Sequence, residues 1–199
     1  ADTAVINVKG DYNIASDAVF SNGESTVLFS APNGSVLVEP RNAAFHNIEF
    51  NGGATFYLSG DIDIDSNLII YTGDVIPNTN NYNYTIAGNY NNAGGTFHTS
   101  PNNGWLVLNG ADQSITNGTF SRLDIAGTGI KTMYGSLSID YSNTNVNNNA
   151  LEVEENSTIE ADAACAFTIN GNVEIKQNGI FDDGGQTHNF KGRYWTGTG

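Results

Sequence analysis

Three aspartates alternate with isoleucine in the segment Asp61-Ile62-Asp63-Ile64-Asp65. In an extended strand, side chains two positions apart point to the same face and lie only about 7 Å from one another. Carboxylates so arranged repel unless a cation neutralises them, and calcium suits such a row because it takes several oxygen ligands in a flexible geometry. We therefore predict a calcium site at Asp61, Asp63 and Asp65. The alternative is an acidic strand face that is simply solvated.

Aromatic side chains give a second candidate site, because tryptophan and tyrosine rings present large apolar faces on which a sugar ring can stack. The residues that we predict to contact such a ligand are Trp105, Trp195, Tyr90 and Tyr194, with Tyr82 and Tyr84 as further candidates. The alternative is that these rings pack in the interior or cover the ends of the structure.

Residues for catalysis are not arranged in any recognisable motif. No two of His46, His98 and His188 have a spacing that suits a shared metal, and no nucleophile-elbow sequence is present. The single cysteine, Cys165, stands between alanines and is expected to be a small buried apolar residue. We therefore predict that the chain is not an enzyme. Polysaccharide lyases and hydrolases of the β-helix class are the alternative, since glycoside hydrolysis needs only two positioned carboxylates.

The charge balance narrows the range of partners. Lys and Arg total 7 against 21 Asp and Glu, which gives a formal net charge of -14. Such a chain repels the phosphates of nucleic acids and of anionic membranes. No apolar run approaches the ~20 residues that a membrane-spanning helix needs. We expect surfaces or glycans as partners, no nucleic acid, no membrane insertion, and no cofactor other than calcium.

The elements that would position these residues are short strands. Apolar and polar residues alternate with period two at residues 36–38, 137–139, 151–153 and 167–169, which predicts half-buried strands. Asn-Gly pairs lie between such segments at eight places, and these residues tolerate the positive φ of tight turns. The one helix candidate, residues 150–166, has apolar spacing that fits strands better. The chain is therefore predicted to be all-β.

Four short segments recur in the same order along the chain. The recurring segments are Gly-x-Tyr at Gly10, Gly88 and Gly192, an apolar triplet at residues 27–29 and 106–108, Phe-x-x-aliphatic at Phe45 and Phe120, and Gly-x-aliphatic-x-Ile at Gly60, Gly135 and Gly171. Two of these matches are 75 positions apart, which predicts duplication of a unit of about 75–80 residues. We expect a single region, residues 1–199, with repeats at about 1–83 and 84–199.

Repeats of this length favour a parallel β-helix, or β-solenoid, in which each coil packs only on its neighbours. The abundant asparagines agree with this fold, because stacked coils can join their side-chain amides in ladders. A β-sandwich is the alternative. In a solenoid, one continuous core should contain the recurring aliphatic residues Ile62, Ile64, Leu137, Ile139, Val173 and Ile175.

The segment Tyr-Thr-Ile-Ala-Gly-Asn-Tyr-Asn-Asn-Ala-Gly-Gly-Thr-Phe at 84–97, a strand ending in Asn109-Gly110 and the Phe-x-x-Leu-x-Ile segment at 120–125 resemble repeats of large surface proteins of Bacteroidetes. The resemblance covers most of the chain. It implies a secreted, cell-surface protein that is often very long, such as the gliding-motility adhesins exported by the type IX system. Asp2-Thr3-Ala4 also resembles the O-glycosylation acceptor of that phylum.

Together these observations predict an extracellular structural or adhesive module, part of a longer chain. Stacked coils would give reach, and repeated weak contacts would give avidity. Self-association end to end is a further expectation. The functional alternatives are a carbohydrate-binding β-domain and a β-helix polysaccharide lyase or hydrolase.

Overall fold

The protein is all-β in a computed structural model that describes residues 4–15, 18–21, 23–41, 43–78, 81–99, 104–141, 148–191 and 195–197. Within these ranges there is no helix, and so none that is long and apolar enough to cross a membrane. The described strands are β1 (Val5–Val8), β2 (Tyr12–Asn13), β3 (Thr26–Phe29), β4 (Ser35–Glu39), β5 (Ala44–Phe45), β6 (Asn47–Leu58), β7 (Ile62–Ile64), β8 (Leu68–Pro77), β9 (Tyr84–Ile86), β10 (Tyr90–Asn92), β11 (Thr96–Phe97), β12 (Trp105–Leu108), β13 (Gln113–Phe120), β14 (Arg122–Ile125), β15 (Ile130–Asp140), β16 (Asn149–Val153), β17 (Thr158–Ala161), β18 (Ala166–Asn170), β19 (Asn172–Ile175), β20 (Ile180–Asp182), β21 (Asn189–Phe190) and β22 (Trp195–Gly197).

These strands stack as a parallel β-solenoid of about eight turns, which confirms the predicted fold. Each turn has three sides. The first side follows the order β1-β3-β6-β8-β10-β13-β15-β17-β20, and the second contains β2, β4, β11, β18, β21 and the later halves of β6, β8, β13 and β15. The third side is the separate sheet β5-β7-β9-β12-β14-β16-β19-β22. Paired residues on successive turns of the first side are 18 to 28 positions apart.

One hydrophobic core runs through the stack, because alternate residues of every side point inward. Of the six aliphatic residues predicted to share this core, five are buried, and the sixth, Ile175, is half-buried against it. The earlier turns also stack aromatic rings, as in Phe29 and Phe50, whose centroids are 5.0 Å apart. Residues 150–166 form β16 and β17, so this segment is strand, as its spacing indicated.

Asparagine ladders hold the corners where the third side joins the first. The Oδ1 atom of Asn47 accepts the backbone N–H of Asn67 at 3.1 Å, Asn67 does the same for Asn89 at 2.9 Å, and Asn89 for Ser114 at 2.7 Å. Each amide therefore satisfies a corner N–H on the next turn that no strand ladder would pair. This arrangement gives a structural role to Asn47, Asn67 and Asn89.

Two long polar side chains fill the inside of the same corner in later turns. Gln113 donates to the carbonyl of Ile86 at 2.9 Å, and the ammonium of Lys131 donates to the carbonyls of Gly110 at 2.9 Å and Thr128 at 2.7 Å. Lys131 is fully buried, and this burial lowers its pKa. These side chains therefore satisfy corner carbonyls from within the solenoid.

The Asn-Gly pairs act in two ways. Asn117 and Asn178 have φ of 51° and 59°, the left-handed conformation expected of a turn. Gly110 has no such φ, but a Cβ there would lie 1.9 Å from the carbonyl oxygen of Ala87 on the preceding turn. The glycine of this pair is required because the backbones of two turns approach closely.

The recurring sequence segments lie on different sides of the solenoid. Gly60 and Gly171 precede strands of the third side, whereas Gly135 is inside β15, where the chain enters the second side. Phe45 ends a third-side strand, whereas Phe120 ends a second-side segment. An offset of 75 positions therefore does not correspond to a whole number of turns. What the matched segments have in common is a local pattern of residues in which a corner is followed by a strand.

Candidate functional site

The predicted calcium row lies at the start of the third side, in the turn of β7. Ile62 and Ile64 point into the core, and Asp61, Asp63 and Asp65 are exposed. Asp61 has a structural partner, since its Oδ1 accepts the backbone N–H of Asn83 at 2.8 Å. Partial burial, with the neighbouring Asp65 carboxylate, raises the pKa of Asp63. Calcium binding by this row stays a prediction.

The third side gathers a tighter acidic group three turns further on. Asp124 on β14 is paired in register with Glu152 on β16, and Glu154 follows β16. Carboxylate oxygens of these three residues all lie within 4.8 Å of one another. Sequence reasoning missed this group because Asp124 and Glu152 are far apart along the chain. The signal was the alternation of acidic and aliphatic residues in each strand.

Lys176 and Asn149 link the carboxylates of this group. The Lys176 ammonium forms an ion pair with Glu154 and lies 3.7 Å from Glu152 Oε2. The hydrogen bond to Glu154 raises the pKa of Lys176. Asn149 Nδ2 donates to Glu152 at 3.2 Å and to Glu174 at 2.7 Å. The glutamates are therefore already paired and hydrogen-bonded within the protein itself.

Asp124 differs from its acidic neighbours. Its Oδ1 atom is buried and has no hydrogen-bond partner among the described residues. Burial, together with the nearby Glu154 and Glu152, raises the pKa of Asp124 to about 7. This carboxyl therefore keeps its proton well above the pH at which an ordinary aspartate ionises.

Trp105 is half-buried, and one face of its ring is already occupied. The Arg122 guanidinium carbon lies 3.6 Å from the centre of the Trp105 ring and 5.0 Å from that of Tyr141. Arg122 Nε also donates to the carbonyl of Asn149 at 2.7 Å. Burial lowers the pKa of Arg122. This cation–π stack fastens the corner after β15 to the third side and removes one ring face from ligand contact.

The remaining aromatic candidates that the structure describes, Tyr82, Tyr84 and Tyr90, pack against the core. Tyr90 is fully buried, with Phe97 at 5.7 Å and Phe120 at 5.3 Å between ring centroids, so its predicted contact with a ligand is wrong. Tyr84 is also buried and Tyr82 is half-buried. Tyr194, the side chain of Trp195, and Asp2 and Thr3 of the predicted glycosylation motif lie outside the described residues.

A shallow groove runs along the first side, parallel to the solenoid axis. Two depressions of about 300 and 340 Å³ adjoin there and share Asn89 and Ser114. We name this surface the axial groove. Its lining residues are Asn67, Ile69, Asn89, Asn91, Asp112, Gln113, Ser114, Thr116, Ile130, Thr132, Tyr134 and Glu160.

Strand register arranges the axial groove in two outward rows. One row pairs Asn91 with Thr116 and Thr116 with Tyr134 across successive turns. The other pairs Ser114 with Thr132 and Thr132 with Glu160. The side chains of these six residues make no hydrogen bond to any described residue, so their polar atoms are open to a ligand.

Tyr134 is the exposed ring of the axial groove, at 39% of its full accessibility. It follows Met133, which is fully buried, so the alternation of the strand turns the tyrosine outward. Sequence reasoning missed this residue, although period-two alternation from Met133 would have placed it on the surface.

Another depression lies at the corner between the second and third sides. It has a volume of about 430 Å³ and an apolar lining that includes Ile76, Pro77 and Phe120. Two of its polar residues bond each other, since the Ser121 hydroxyl donates to the carbonyl of Thr99 at 3.0 Å. These two residues are therefore already paired within the protein.

Comparison of the chain with protein-family models, with curated proteins and with solved structures finds no match.

Proposed function

We propose that this chain is a structural and adhesive module of a cell-surface protein. The observation that carries the proposal is the continuous core, to which every turn from β3 to β19 contributes buried residues. Such a stack is stiff along its axis, because each turn is hydrogen-bonded to the next over its whole length. Eight turns at the strand spacing of about 4.8 Å give a rod of roughly 40 Å.

Multivalency is the proposed means of adhesion. Successive turns repeat outward side chains at the same lateral position, so an extended partner meets several similar contacts. Individually weak contacts then add to a useful avidity, provided that the partner is itself repetitive.

An extracellular location is part of the proposal and is supported by the resemblance to surface proteins of Bacteroidetes. A type IX-exported, gliding-adhesin-like protein would place such a rod outside the cell. Immunolabelling of intact cells that produce the full-length protein tests this part. Labelling only after permeabilisation would contradict it.

Adhesion itself is tested with beads that carry the purified chain at high density. We expect the beads to resist flow over glycan-coated surfaces far better than beads that carry a thermally unfolded sample. Equal detachment of both kinds of bead from every surface would overturn the adhesive function.

A polysaccharide hydrolase is the second candidate, because a carboxyl that holds its proton lies within 4.8 Å of other carboxylates. Retaining glycosidases need two carboxyl groups about 5 Å apart, one of them protonated. Lys176 counts against this function, since it already pairs with Glu154 beside Asp124. The test is whether the chain releases reducing ends from a polysaccharide. Release that is lost in Asp124→Asn would establish the hydrolase. No release would favour the structural module.

A further inference from the structure

We propose that the axial groove binds a single extended, uncharged polysaccharide chain that lies along the solenoid axis with about one sugar residue per turn. This inference rests on the proposed adhesive function and names its ligand class. The axial groove lies on the first side, and none of the site residues predicted from the sequence lines it.

The shape of the axial groove fits a linear ligand. It extends from Asn67 and Ile69 on one turn to Glu160 four turns later, a length of about 19 Å at the strand spacing. The step from one turn to the next, about 4.8 Å, is close to the length of one sugar ring in an extended chain. Consecutive sugars would therefore meet equivalent positions on consecutive turns.

The chemistry of the axial groove fits hydroxyl groups. Asn91, Ser114, Thr116 and Thr132 offer donors and acceptors that are not used within the described structure. A sugar hydroxyl also both donates and accepts, so it can pair with each of these groups without leaving a charge unpaired. The exposed Tyr134 ring supplies an apolar face beside them, which suits the C–H face of a pyranose.

Charge excludes acidic polysaccharides from the axial groove. Asp112 and Glu160 line it, and no arginine or lysine does so among the described residues. The net charge of the chain, -14, adds a repulsive field. The ligand class is therefore neutral.

The acidic surface of the third side lacks this combination. On the third side, the polar groups of Asn149, Glu152, Glu154 and Lys176 bond one another, so a sugar would have to displace existing contacts. In the axial groove a sugar displaces only water.

Affinity electrophoresis under native conditions tests the proposal with the folded chain. The gels contain hydroxyethyl cellulose, glucomannan or dextran as neutral polymers, and polygalacturonate as the acidic one. We expect retardation in at least one neutral gel and none in polygalacturonate. Tyr134→Ala should weaken the retardation about tenfold, because it removes the one exposed ring of the axial groove. Thr116→Ala should weaken it by a smaller factor.

Tyr71→Ala is the matched control, since Tyr71 is 40% exposed and lies outside the axial groove. It should migrate like the unmodified chain. Retardation by no neutral polymer, or retardation that Tyr134→Ala leaves unchanged, would overturn the proposal. A thermal melt of each variant shows whether it is folded, and Thr116→Ala gives the answer if Tyr134→Ala does not fold.

Titration calorimetry with neutral oligosaccharides of the retained polymer, from two to six sugar units, tests the axial placement. Affinity should rise with each added unit up to about five, because each sugar reaches one more turn. An affinity that is already complete at two units would overturn the axial arrangement. If beads adhere equally with and without Tyr134→Ala, the groove proposal fails while the adhesive function stands; if no bead adheres, the function fails.

Discussion

The outer surfaces of the first and third sides are built on the same core by the same alternation, yet their polar groups differ in what they bond. On the third side, Asn149, Glu152, Glu154 and Lys176 are joined in one network. In the two outward rows of the axial groove, by contrast, the side chains make no hydrogen bond to any described residue; these are Asn91, Ser114, Thr116, Thr132, Tyr134 and Glu160. Both surfaces are exposed to solvent, so exposure does not show which of them can bind a ligand. The difference lies in whether their side chains are already hydrogen-bonded within the protein.

The lengths of the side chains explain this difference. Neighbouring turns are about 4.8 Å apart, so opposed side chains can meet across the gap when one of them is long. Glutamate and lysine on the third side reach across it. Serine and threonine at Ser114, Thr116 and Thr132 are too short to do so, and their hydroxyls stay open. Short polar residues in register therefore mark a surface that is available for binding.

Both surfaces depend on the shared core, and Ile139→Asp should abolish them together. Ile139 is fully buried, so the substitution leaves a charge among apolar neighbours and should cost several kcal/mol of unfolding free energy, on the order of 4 kcal/mol. Urea denaturation measures the loss. Ser138→Asp is the control, because the adjacent side chain points outward and the change should cost under about 0.5 kcal/mol. Equal stability of both variants would contradict the assignment of the two faces.

Asp124→Asn should change the pH dependence of the third side alone. The unfolded chain loses the Asp124 proton near pH 4, whereas the folded chain holds it to about pH 7. Between these values the folded state binds more protons than the unfolded state, so the free energy of unfolding falls as the pH rises. Asp124→Asn has no carboxyl group at this position, so its free energy of unfolding does not fall for this reason. At pH 8 we expect it to be more stable than the unmodified chain by about 2 kcal/mol, less than the full shift implies because the residue is partly solvated.

The measurement is a series of urea denaturations from pH 4 to pH 8 for both proteins. Glu155→Gln serves as a control, since Glu155 is an exposed carboxylate outside the group of Asp124. A difference between Asp124→Asn and the unmodified chain that stays constant over this range would show that the folded state does not hold the proton.

The core and the corners could be read from the sequence, whereas the surfaces could not. Period two placed Ile62, Ile64 and Ile139 inside, and the many asparagines predicted the ladders. Which residues meet across turns was hidden, because turn length varies from 18 to 28 residues and no local pattern fixes that register. For this reason the acidic group of Asp124 and the rows of the axial groove appear only in three dimensions.

Tyr84→Phe tests whether the hydrogen-bonding state matters inside the solenoid as it does outside. The Tyr84 side chain is buried, and its hydroxyl has no partner among the described residues. Removing an unpaired buried hydroxyl should stabilise the chain by about 1 kcal/mol, because folding no longer has to strip water from a polar group that gains no partner. Denaturation in urea measures the change, with Tyr71→Phe, an exposed ring, as the control. A loss of more than about 1 kcal/mol would reveal a partner for the Tyr84 hydroxyl.

Calcium should bind one of the two acidic surfaces of the third side and not the other. Of the effects on stability predicted here, this one is expected to be the smallest. At Asp61, Asp63 and Asp65 no cationic side chain pairs with the carboxylates among the described residues, whereas Lys176 already pairs with Glu152 and Glu154 in the group of Asp124. A cation that binds only the folded chain stabilises it by mass action. Calcium should therefore raise the melting temperature by about 3 °C above a matched ionic strength of sodium chloride. Asp63→Asn should remove this increment, because it deletes one charge at nearly constant shape, and Asp124→Asn should retain it. Melts that superimpose in calcium and in excess chelator would leave the Asp63 row as a solvated strand face, and loss of the increment only in Asp124→Asn would move the site three turns along the solenoid.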